Sequence, residues 1–533
     1  MEQHIDIAII GTGPTGIYTF AELIRTPQPL NITLFEKGEN AGVGAPYSPE
    51  SATREMLANI ASIEIPPLVT TYLDWMRTRA VAQLARYNLT HDMLHDRLFT
   101  PRRLLGDWFR DQLLDLIAQA RDAGHRVTVI ENAEVIDIAE WSRRFAVVTA
   151  NSAVPYSFDR VVVATGHDFG QDKTPDSYFP NPWTGLIQTD IPATDVGVMG
   201  TSLSAIDATL AVVSQHGDFR RTDDGDLVFE GAPDRLSVTL MSRNGLLPEA
   251  DFYCPIPYEP LQIMTAPALA FAVKQASPLD AVFDLFRQEL QAVDPDWSAR
   301  VHLDRLNAGT FADAYFADRA AADPFRWARK NLDEVERNKR DRITVPWRYA
   351  ILRMHEAVGE IVGELPDNDA QRFADGLKRV FIDNYAAVPS ESIRRLLALR
   401  DAGILSIKAI GDDYNMQVSD DATVITTDGR AHRFPIFIDA RGQAPLTTED
   451  LPFPTLRQTL LEAGQDVPEV ARDYSLTAPD SHAGRVFLGA IPYLMHDHPF
   501  VQGITASAEI GTAIAQGCLA TTGRDPRRRS LIA

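Results

Sequence analysis

Two adjacent segments near the N-terminus indicate the fold. They are Ile5-Asp6-Ile7-Ala8-Ile9-Ile10 and, directly after it, Gly11-Thr12-Gly13-Pro14-Thr15-Gly16. The first segment has the apolar content of a buried parallel strand, and the second segment opens a helical pattern. In such a unit Gly11 allows a tight turn, Gly13 lets the backbone approach a pyrophosphate, and Gly16 lets the helix pack closely on the strand. Pro14 and Thr15 then begin a helix whose free amides face that pyrophosphate.

An acid follows at the expected distance. A second apolar strand, Ile32–Phe35, ends at Glu36, which lies about twenty residues beyond the glycines, where a carboxylate can accept ribose hydroxyls. Lys37 follows at the same strand end. Strand, glycine turn, helix, strand and acid together predict a dinucleotide site, and its position near the N-terminus favours FAD.

Further positions in small-residue loops and at strand ends are predicted to approach the cofactor. They are Gly44, Asn59, Arg102, Thr165, Gly166, Gly489 and Gly503. Asn59 and Arg102 are also the candidate catalytic residues, because an amide or a cation can contact the flavin or the substrate. A loop-fixing Asn and a solvated Arg are the alternatives.

A second nucleotide unit is predicted from a repeated order of strands. The segment Asp195–Asp207 gives another strand, turn and helix start, with Gly200 at the first glycine position and Ser202 and Ser204 in the turn. Ser202 hinders backbone approach, which predicts a looser site. The following strand ends at Arg243 in place of an acid, and an arginine there favours NADPH because it can pair with a 2′-phosphate.

These patterns predict an α/β protein with two Rossmann-like dinucleotide-binding domains and a helical insertion. Helical periodicity dominates the insertion, over Leu279–Leu290, Tyr349–Ile361, Arg372–Phe381 and Ser392–Leu399. The predicted division is 1–169 and 446–533 for the FAD domain, 170–254 and 401–445 for the NADPH domain, and 255–400 for the insertion.

Composition limits the classes of molecule that the chain is expected to bind. The 533 residues carry 51 Lys and Arg against 73 Asp and Glu, a net charge of −22, which opposes nucleic-acid binding. The strand pattern begins at Ile5 without a basic leader, and no apolar run has membrane-spanning length, so a cytoplasmic protein without membrane contact is expected. Cys254 and Cys518 form no CxxC pair, and the consecutive His496, Asp497 and His498 converge poorly, so no metal site is predicted.

Several stretches carry a family resemblance. GTGPTG with Glu36, DRVVVATGH, VGVMGTSLSAID and IDARG resemble flavin-dependent monooxygenases with separate FAD and NADPH domains. GVGAPYS, MLANIASIEIPP, TPRRLLGDWF and VPSESIRRLLALRDAGIL look more narrowly like bacterial proteins that include aspartate N-hydroxylases forming nitrosuccinate. The Baeyer–Villiger fingerprint is not intact around Asn181-Pro182-Trp183, because its histidine is missing.

The resemblance implies an FAD- and NADPH-dependent monooxygenase that N-hydroxylates a small polar amine, such as an amino acid, with molecular oxygen through a flavin hydroperoxide. Arg102, Arg348 and Arg394 are candidates for holding a substrate carboxylate. A flavin reductase or dehydrogenase without oxygen transfer and a non-catalytic flavin-binding sensor stay open, as does a homo-oligomer.

Overall fold

The computed structural model describes residues 4–167, 175–183, 185–231, 233, 235–498 and 500–520. Its strands, in chain order, are β1 (Ile5–Ile10), β2 (Leu30–Phe35), β3 (Arg126–Ile130), β4 (Val135–Trp141), β5 (Arg144–Thr149), β6 (Tyr156–Phe158), β7 (Arg160–Val163), β8 (Tyr178–Phe179), β9 (Asp195–Met199), β10 (Asp218–Arg221), β11 (Leu227–Glu230), β12 (Ser237–Ser242), β13 (Leu405–Ala409), β14 (Asn415–Val418), β15 (Thr423–Thr427), β16 (Arg430–Phe434), β17 (Ile436–Asp439) and β18 (Val486–Leu488).

The helices, in chain order, are α1 (Pro14–Leu23), α2 (Tyr72–Arg77), α3 (Val81–Ala85), α4 (Arg102–Asp122), α5 (Leu203–Val213), α6 (Ala266–Ala272), α7 (Pro278–Val293), α8 (Pro295–Arg300), α9 (Phe311–Ala320), α10 (Pro324–Asp341), α11 (Pro346–Gly359), α12 (Asp367–Asp375), α13 (Leu377–Tyr385), α14 (Ser390–Asp401), α15 (Pro454–Glu462), α16 (Ile491–Leu494) and α17 (Gly503–Leu519).

The first sheet is parallel, with the strand order β18-β7-β1-β2-β3. Both of its faces are covered, which explains why Ile7–Ile10 of β1 form an unbroken apolar run. Ile7 and Ile9 face the core formed with α1, α4 and α17, whereas Ala8 and Ile10 face the core beneath the antiparallel sheet β4-β5-β6. Helices α1 and α17 pack closely at Gly511, where a Cβ would lie 2.7 Å from the Thr19 nitrogen.

The second sheet repeats this arrangement. Its parallel strands follow the order β13-β12-β9-β17-β8. The antiparallel sheet β14-β15-β16 packs against it, as the antiparallel sheet β4-β5-β6 packs against the first sheet. In each case the first strand of the glycine motif is central, with two strands on either side. The predicted α/β class with two Rossmann-like sheets is confirmed.

Helices α6 to α14 lie between β12 and β13 in the chain, in the region predicted to be helical. Helices α6 to α9 and α11 to α13 enclose a core rich in aromatic side chains, including Phe286, Phe311 and Phe381. Helices α10 and α14 pack instead into the core of the second sheet. The stretch Arg372–Phe381 is helical on both sides of Gly376, where the chain breaks between α12 and α13. A Cβ at Gly376 would lie 2.5 Å from the carbonyl oxygen of Ala308, so the break brings two backbones into close contact. Among the described residues, no helix is long and apolar enough to cross a membrane.

Candidate functional site

The predicted FAD residues gather at one edge of the first sheet. The register pairs Ile10 with both Phe35 and Val163, and Val163 with Leu488. Because parallel strands end at the same edge, the residues that follow them meet there. These residues are Gly11, Glu36, Ala164, Thr165, Gly166 and Gly489.

The glycines of the first turn have different surroundings. Gly11 has a φ of +96°, and a Cβ there would lie 2.3 Å from the carbonyl oxygen of Ala164. A Cβ at Gly16 would lie 2.1 Å from the carbonyl oxygen of Gly11, so both positions require glycine for the fold itself. Gly13 has a φ of −73°, and its Cβ would meet only Gly44, at 3.6 Å. The space above Gly13 is therefore a cradle that a side chain would fill and a pyrophosphate can use.

Helix α1 starts at this cradle with Pro14 and Thr15. Gly13 caps the helix without a side-chain hydrogen bond, which leaves the first-turn amides to an anion. Gly44 lies against the start of the helix, with its ideal Cβ position 3.2 Å from Pro14 Cδ. The residues present fit a dinucleotide pyrophosphate.

Glu36 lies beside the same turn. Its carboxylate accepts hydrogen bonds from the Thr12 hydroxyl and from the Gly38 amide, the latter at 2.9 Å. These bonds fix the acid next to the glycine turn, where a ribose would lie. The neighbouring Lys37 is exposed and points to no partner among the described residues.

Later segments of the chain, at the ends of β7 and β18 and at the start of α17, also lie at this edge of the first sheet. Gly489 is buried, and a Cβ there would lie 3.0 Å from Thr15 Cγ2 and 2.8 Å from Ile514 Cδ1, so glycine allows α1 and α17 to approach the end of β18. Thr165 and Gly166 are exposed at the end of β7. Gly503, with a φ of +78°, begins α17 and is also exposed.

Arg102 has a partner that the sequence did not indicate. Its Nη2 lies 2.7 Å from Asp207 Oδ2 of α5, with both side chains almost buried, and its Nε donates to the Leu57 carbonyl oxygen at 3.1 Å. Burial raises the pKa of Asp207 to about 6, although Arg102 and Arg395 act to lower it. This ion pair joins α4 of the first unit to α5 of the second, and the contact of Arg102 with the cofactor stays a prediction.

The second sheet forms a similar edge. Gly200 follows β9 with a φ of +127°, and its Cβ would lie 2.9 Å from the Ala440 carbonyl oxygen, so the turn requires glycine. Ser202 precedes α5 without a side-chain cap bond, and Ser204 lies in its first turn. Arg243 is exposed and pairs with Asp412, Nε to Oδ1 at 2.6 Å. An incoming phosphate on this edge would share Arg243 with that acid.

A cleft lies between the first unit, the segment after β12 and the helices α11 and α13. Asn59, a predicted residue, lines it. The other lining residues include Glu64, Arg97, Phe99, Asp251, Phe252, Cys254, Ile256, Tyr258, Leu352, Asn384 and Tyr385. Sequence reasoning missed the charged members, because they come from loops and helices far apart in the chain and carry no local motif.

The charges of the cleft have distinct partners. Glu64 accepts from the Ala61 amide at 3.0 Å, and Asp251 pairs with Lys339 at 3.2 Å. Burial raises the pKa of Glu64, and Asp251 raises it further, whereas the Ala61 amide and Arg97 lower it. Arg97 donates to the Cys254 carbonyl oxygen at 2.7 Å.

The other two predicted substrate arginines lie in ion pairs. Arg348 is buried against Glu249, and Arg394 pairs with Glu336 at 2.8 Å. Neither lines the cleft. Their carboxylate partners are already supplied by the chain, which leaves Arg97 as the cation of the cleft.

Comparisons with known proteins agree with this geometry. Residues 8–168 match the family model described as FAD-NAD(P)-binding, and residues 267–385 match the model described as YdhS-like middle domain. The chain is therefore an FAD- and NAD(P)-binding protein. It is 51% identical over 529 residues, which are 98% of this chain and 99% of the relative, to the uncharacterized protein YdhS of Escherichia coli (strain K12). The chain belongs to the YdhS family.

Two solved structures are similar to this chain at low identity. An ornithine N-hydroxylase from Kutzneria sp. 744 is 14% identical, with a TM-score of 0.48 and 96% of this chain and 98% of that chain covered. A bacillithiol disulfide reductase from Bacillus cereus is 14% identical, with a TM-score of 0.43 and the same coverage. These likenesses concern the fold alone.

Proposed function

We propose that this protein is an FAD- and NADPH-dependent monooxygenase that N-hydroxylates a small polar amine, an amino acid. The observation that carries the proposal is the cleft at Asn59, which combines half-buried carboxyl groups with a cation beside the FAD-binding unit. When bound, FAD reduced by NADPH supplies the oxygen-activating chemistry. The chain binds the cofactors, orients the substrate and excludes water.

Cofactor binding is assigned to the two sheet edges. The cradle at Gly13, the start of α1 and Glu36 hold FAD, and the turn at Gly200 with Arg243 receives NADPH. The Arg102–Asp207 ion pair fixes α4 against α5. Because α4 packs on the first sheet and α5 follows the second glycine turn, this ion pair connects the two nucleotide-binding edges.

The cleft supplies what an amine substrate needs. An amine is nucleophilic only when it is unprotonated, so the substrate ammonium must lose a proton before the reaction. Glu64 is suited to accept it, because burial raises the pKa of this carboxyl group and makes it a stronger base. Glu64 is therefore the proposed base.

The cysteines favour oxygenation over disulfide reduction. The chain contains only two, Cys254 and Cys518. Both are buried, and burial raises the pKa of each thiol to about 12. Neither is a thiolate at neutral pH, which a disulfide-reducing centre needs.

The test is a screen of free amino acids, aspartate included, with FAD-loaded protein and NADPH. Substrate-dependent NADPH oxidation and oxygen uptake are expected, with one hydroxylamine formed for each NADPH and O2 consumed, or one nitroso product for two of each. Peroxide with every amine would instead support a reductase without oxygen transfer, and stoichiometric oxygenation of a thioether or ketone would reject nitrogen as the acceptor atom.

A further inference from the structure

Asn384, at the end of α13, is an unsatisfied amide in the wall of the cleft. Its side chain is 1% exposed, and neither Oδ1 nor Nδ2 has a hydrogen-bond partner among the described residues. Leaving a buried donor and acceptor unpaired costs about 1–3 kcal/mol each, and folded proteins rarely leave such groups without a partner. Asn384 therefore points to a ligand with hydrogen-bonding groups.

The charges of the cleft show what kind of ligand complements it. Asp251 is neutralised by Lys339, at 3.2 Å. Glu64 and Arg97 line the same cleft, yet no ion pair joins them, and neither has an ion-pair partner within the described part of the chain. Glu64 accepts neutral hydrogen bonds only, from the Ala61 amide at 3.0 Å and the Tyr258 hydroxyl at 3.4 Å. One negative and one positive group are therefore left facing the cleft, which matches a molecule that carries one ammonium and one carboxylate.

Arg97 is held in position while donors are left free. One Nη2 hydrogen bond reaches the Cys254 carbonyl oxygen at 2.7 Å, and the guanidinium lies 4.5 Å from the centre of the Tyr253 ring. A guanidinium fixed on one side can bind a carboxylate in bidentate fashion with its other nitrogens.

The remaining wall of the cleft contains the apolar side chains Phe99, Phe252, Ile256 and Leu352 beside two tyrosines, Tyr258 and Tyr385. These side chains favour an uncharged substituent, because a third charge on the ligand would be desolvated against them without a partner.

We propose that the cleft binds a neutral, zwitterionic amino acid, with its carboxylate on Arg97 and the Asn384 amide, its amino group on Glu64, and an apolar side chain against Phe252 and Leu352. This inference deepens the proposed function, on which it rests for assigning the cleft to the substrate. It favours a neutral amino acid over aspartate, whose second carboxylate has no free cation in the cleft.

The test is calorimetric binding to oxidised, FAD-loaded protein without NADPH. The probes are alanine and valine, because the cleft volume of about 70 Å³ favours small side chains, each with its carboxamide and its des-amino acid, together with aspartate and lysine. A neutral amino acid is expected to bind, and loss of either end group should weaken binding about tenfold or more. No binding by any neutral amino acid, or tighter binding of aspartate or lysine, would overturn the proposal.

Variants assign each end of the ligand. Arg97→Ala should remove the preference for the amino acid over its carboxamide, and Glu64→Gln should remove the preference over the des-amino acid. Arg305→Ala, a change at an arginine whose side chain is 77% exposed, is the matched control and should keep both preferences. If Arg97→Ala fails to bind FAD, the same preferences are measured with Arg97→Lys. Unchanged preferences in both cleft variants would contradict the assignment.

The two proposals fail in different ways. Binding with these preferences but without hydroxylated product would reject N-hydroxylation and retain the cleft. Hydroxylation of an amine whose KM is unaffected by Arg97→Lys and Glu64→Gln would retain N-hydroxylation and reject the cleft as the substrate site.

Discussion

Gly13 and Gly16 belong to the same turn, but only one of them is needed for packing. A Cβ at Gly16 would lie 2.1 Å from the Gly11 carbonyl oxygen, whereas a Cβ at Gly13 would meet nothing closer than 3.6 Å. Gly16→Ala is therefore expected to destabilise the protein by about 1–3 kcal/mol. Gly13→Ala should leave the stability of the FAD-free protein unchanged and weaken FAD binding.

The measurement is thermal unfolding of the FAD-free variants together with FAD titration. The two substitutions are controls for each other, because each adds one methyl group to the same turn. Full FAD affinity in Gly13→Ala would contradict the assignment of this cradle to the pyrophosphate.

Arg243 and Asp412 determine the predicted choice between nicotinamide cofactors. Their ion pair is more than half exposed on both sides, so the arginine can turn to a 2′-phosphate at small cost. Arg243→Ala should lose about 1.5–3 kcal/mol of NADPH binding without affecting NADH. Asp412→Asn should strengthen NADPH binding by releasing the arginine. Kd values for both cofactors check this, and equal losses for NADPH and NADH would argue against it.

At the scale of elements, the ion pair between α4 and α5 predicts a pH effect. The folded-state pKa of Asp207, about 6, lies above its ordinary value of 3.8 because of burial. The folded protein thus binds this proton more tightly than the unfolded chain, so the contribution is fully present below pH 4 and lost as the pH rises through 6. From pH 7 to pH 5 this group should add about 1 kcal/mol to the free energy of unfolding.

The measurement compares unfolding of the wild type and Asp207→Asn across this pH range. Other titrating groups are common to both proteins, so the difference isolates Asp207. A difference that is constant with pH would show that Asp207 does not titrate in this window.

Sequence reasoning succeeded for elements whose signal is local. The strand ending at Gly11 and the helix from Pro14 could be predicted because turn geometry and apolar pattern lie within a few residues. The partner of Arg102 could not, since Asp207 lies on a helix of the other unit. Arg97 and Asn384 were missed for the same reason, because only folding brings their segments to one cleft.

At the scale of the whole molecule, a buried charge network fastens the helical region to the second unit. Glu249, which follows β12, pairs with Arg348 of α11 and accepts from Trp327 Nε1 of α10 at 2.8 Å. Although burial alone would raise it, the pKa of Glu249 is lowered by Arg348 and Arg319. The domain boundaries stay a prediction. Moving α10 and α11 away from the segment after β12 would break this network.

Glu249→Gln should therefore destabilise the protein by about 3–5 kcal/mol, because it leaves a buried guanidinium without a counter-charge. The matched control is Asp401→Asn, which removes a carboxylate from an exposed pair with Arg329 and should cost less than about 1 kcal/mol. Thermal unfolding of both variants measures this. Similar small losses in the two would mean that the network contributes little.

The central claim is that oxygen from O2 reaches a substrate nitrogen. The most direct measurement is turnover of FAD-loaded protein with NADPH and a bound amino acid under 18O2, with mass spectrometry of the product and assay of peroxide. One 18O atom is expected in each hydroxylamine formed, with NADPH and oxygen consumed in equal amounts. Amine recovered without 18O while all consumed oxygen is found as peroxide would contradict it.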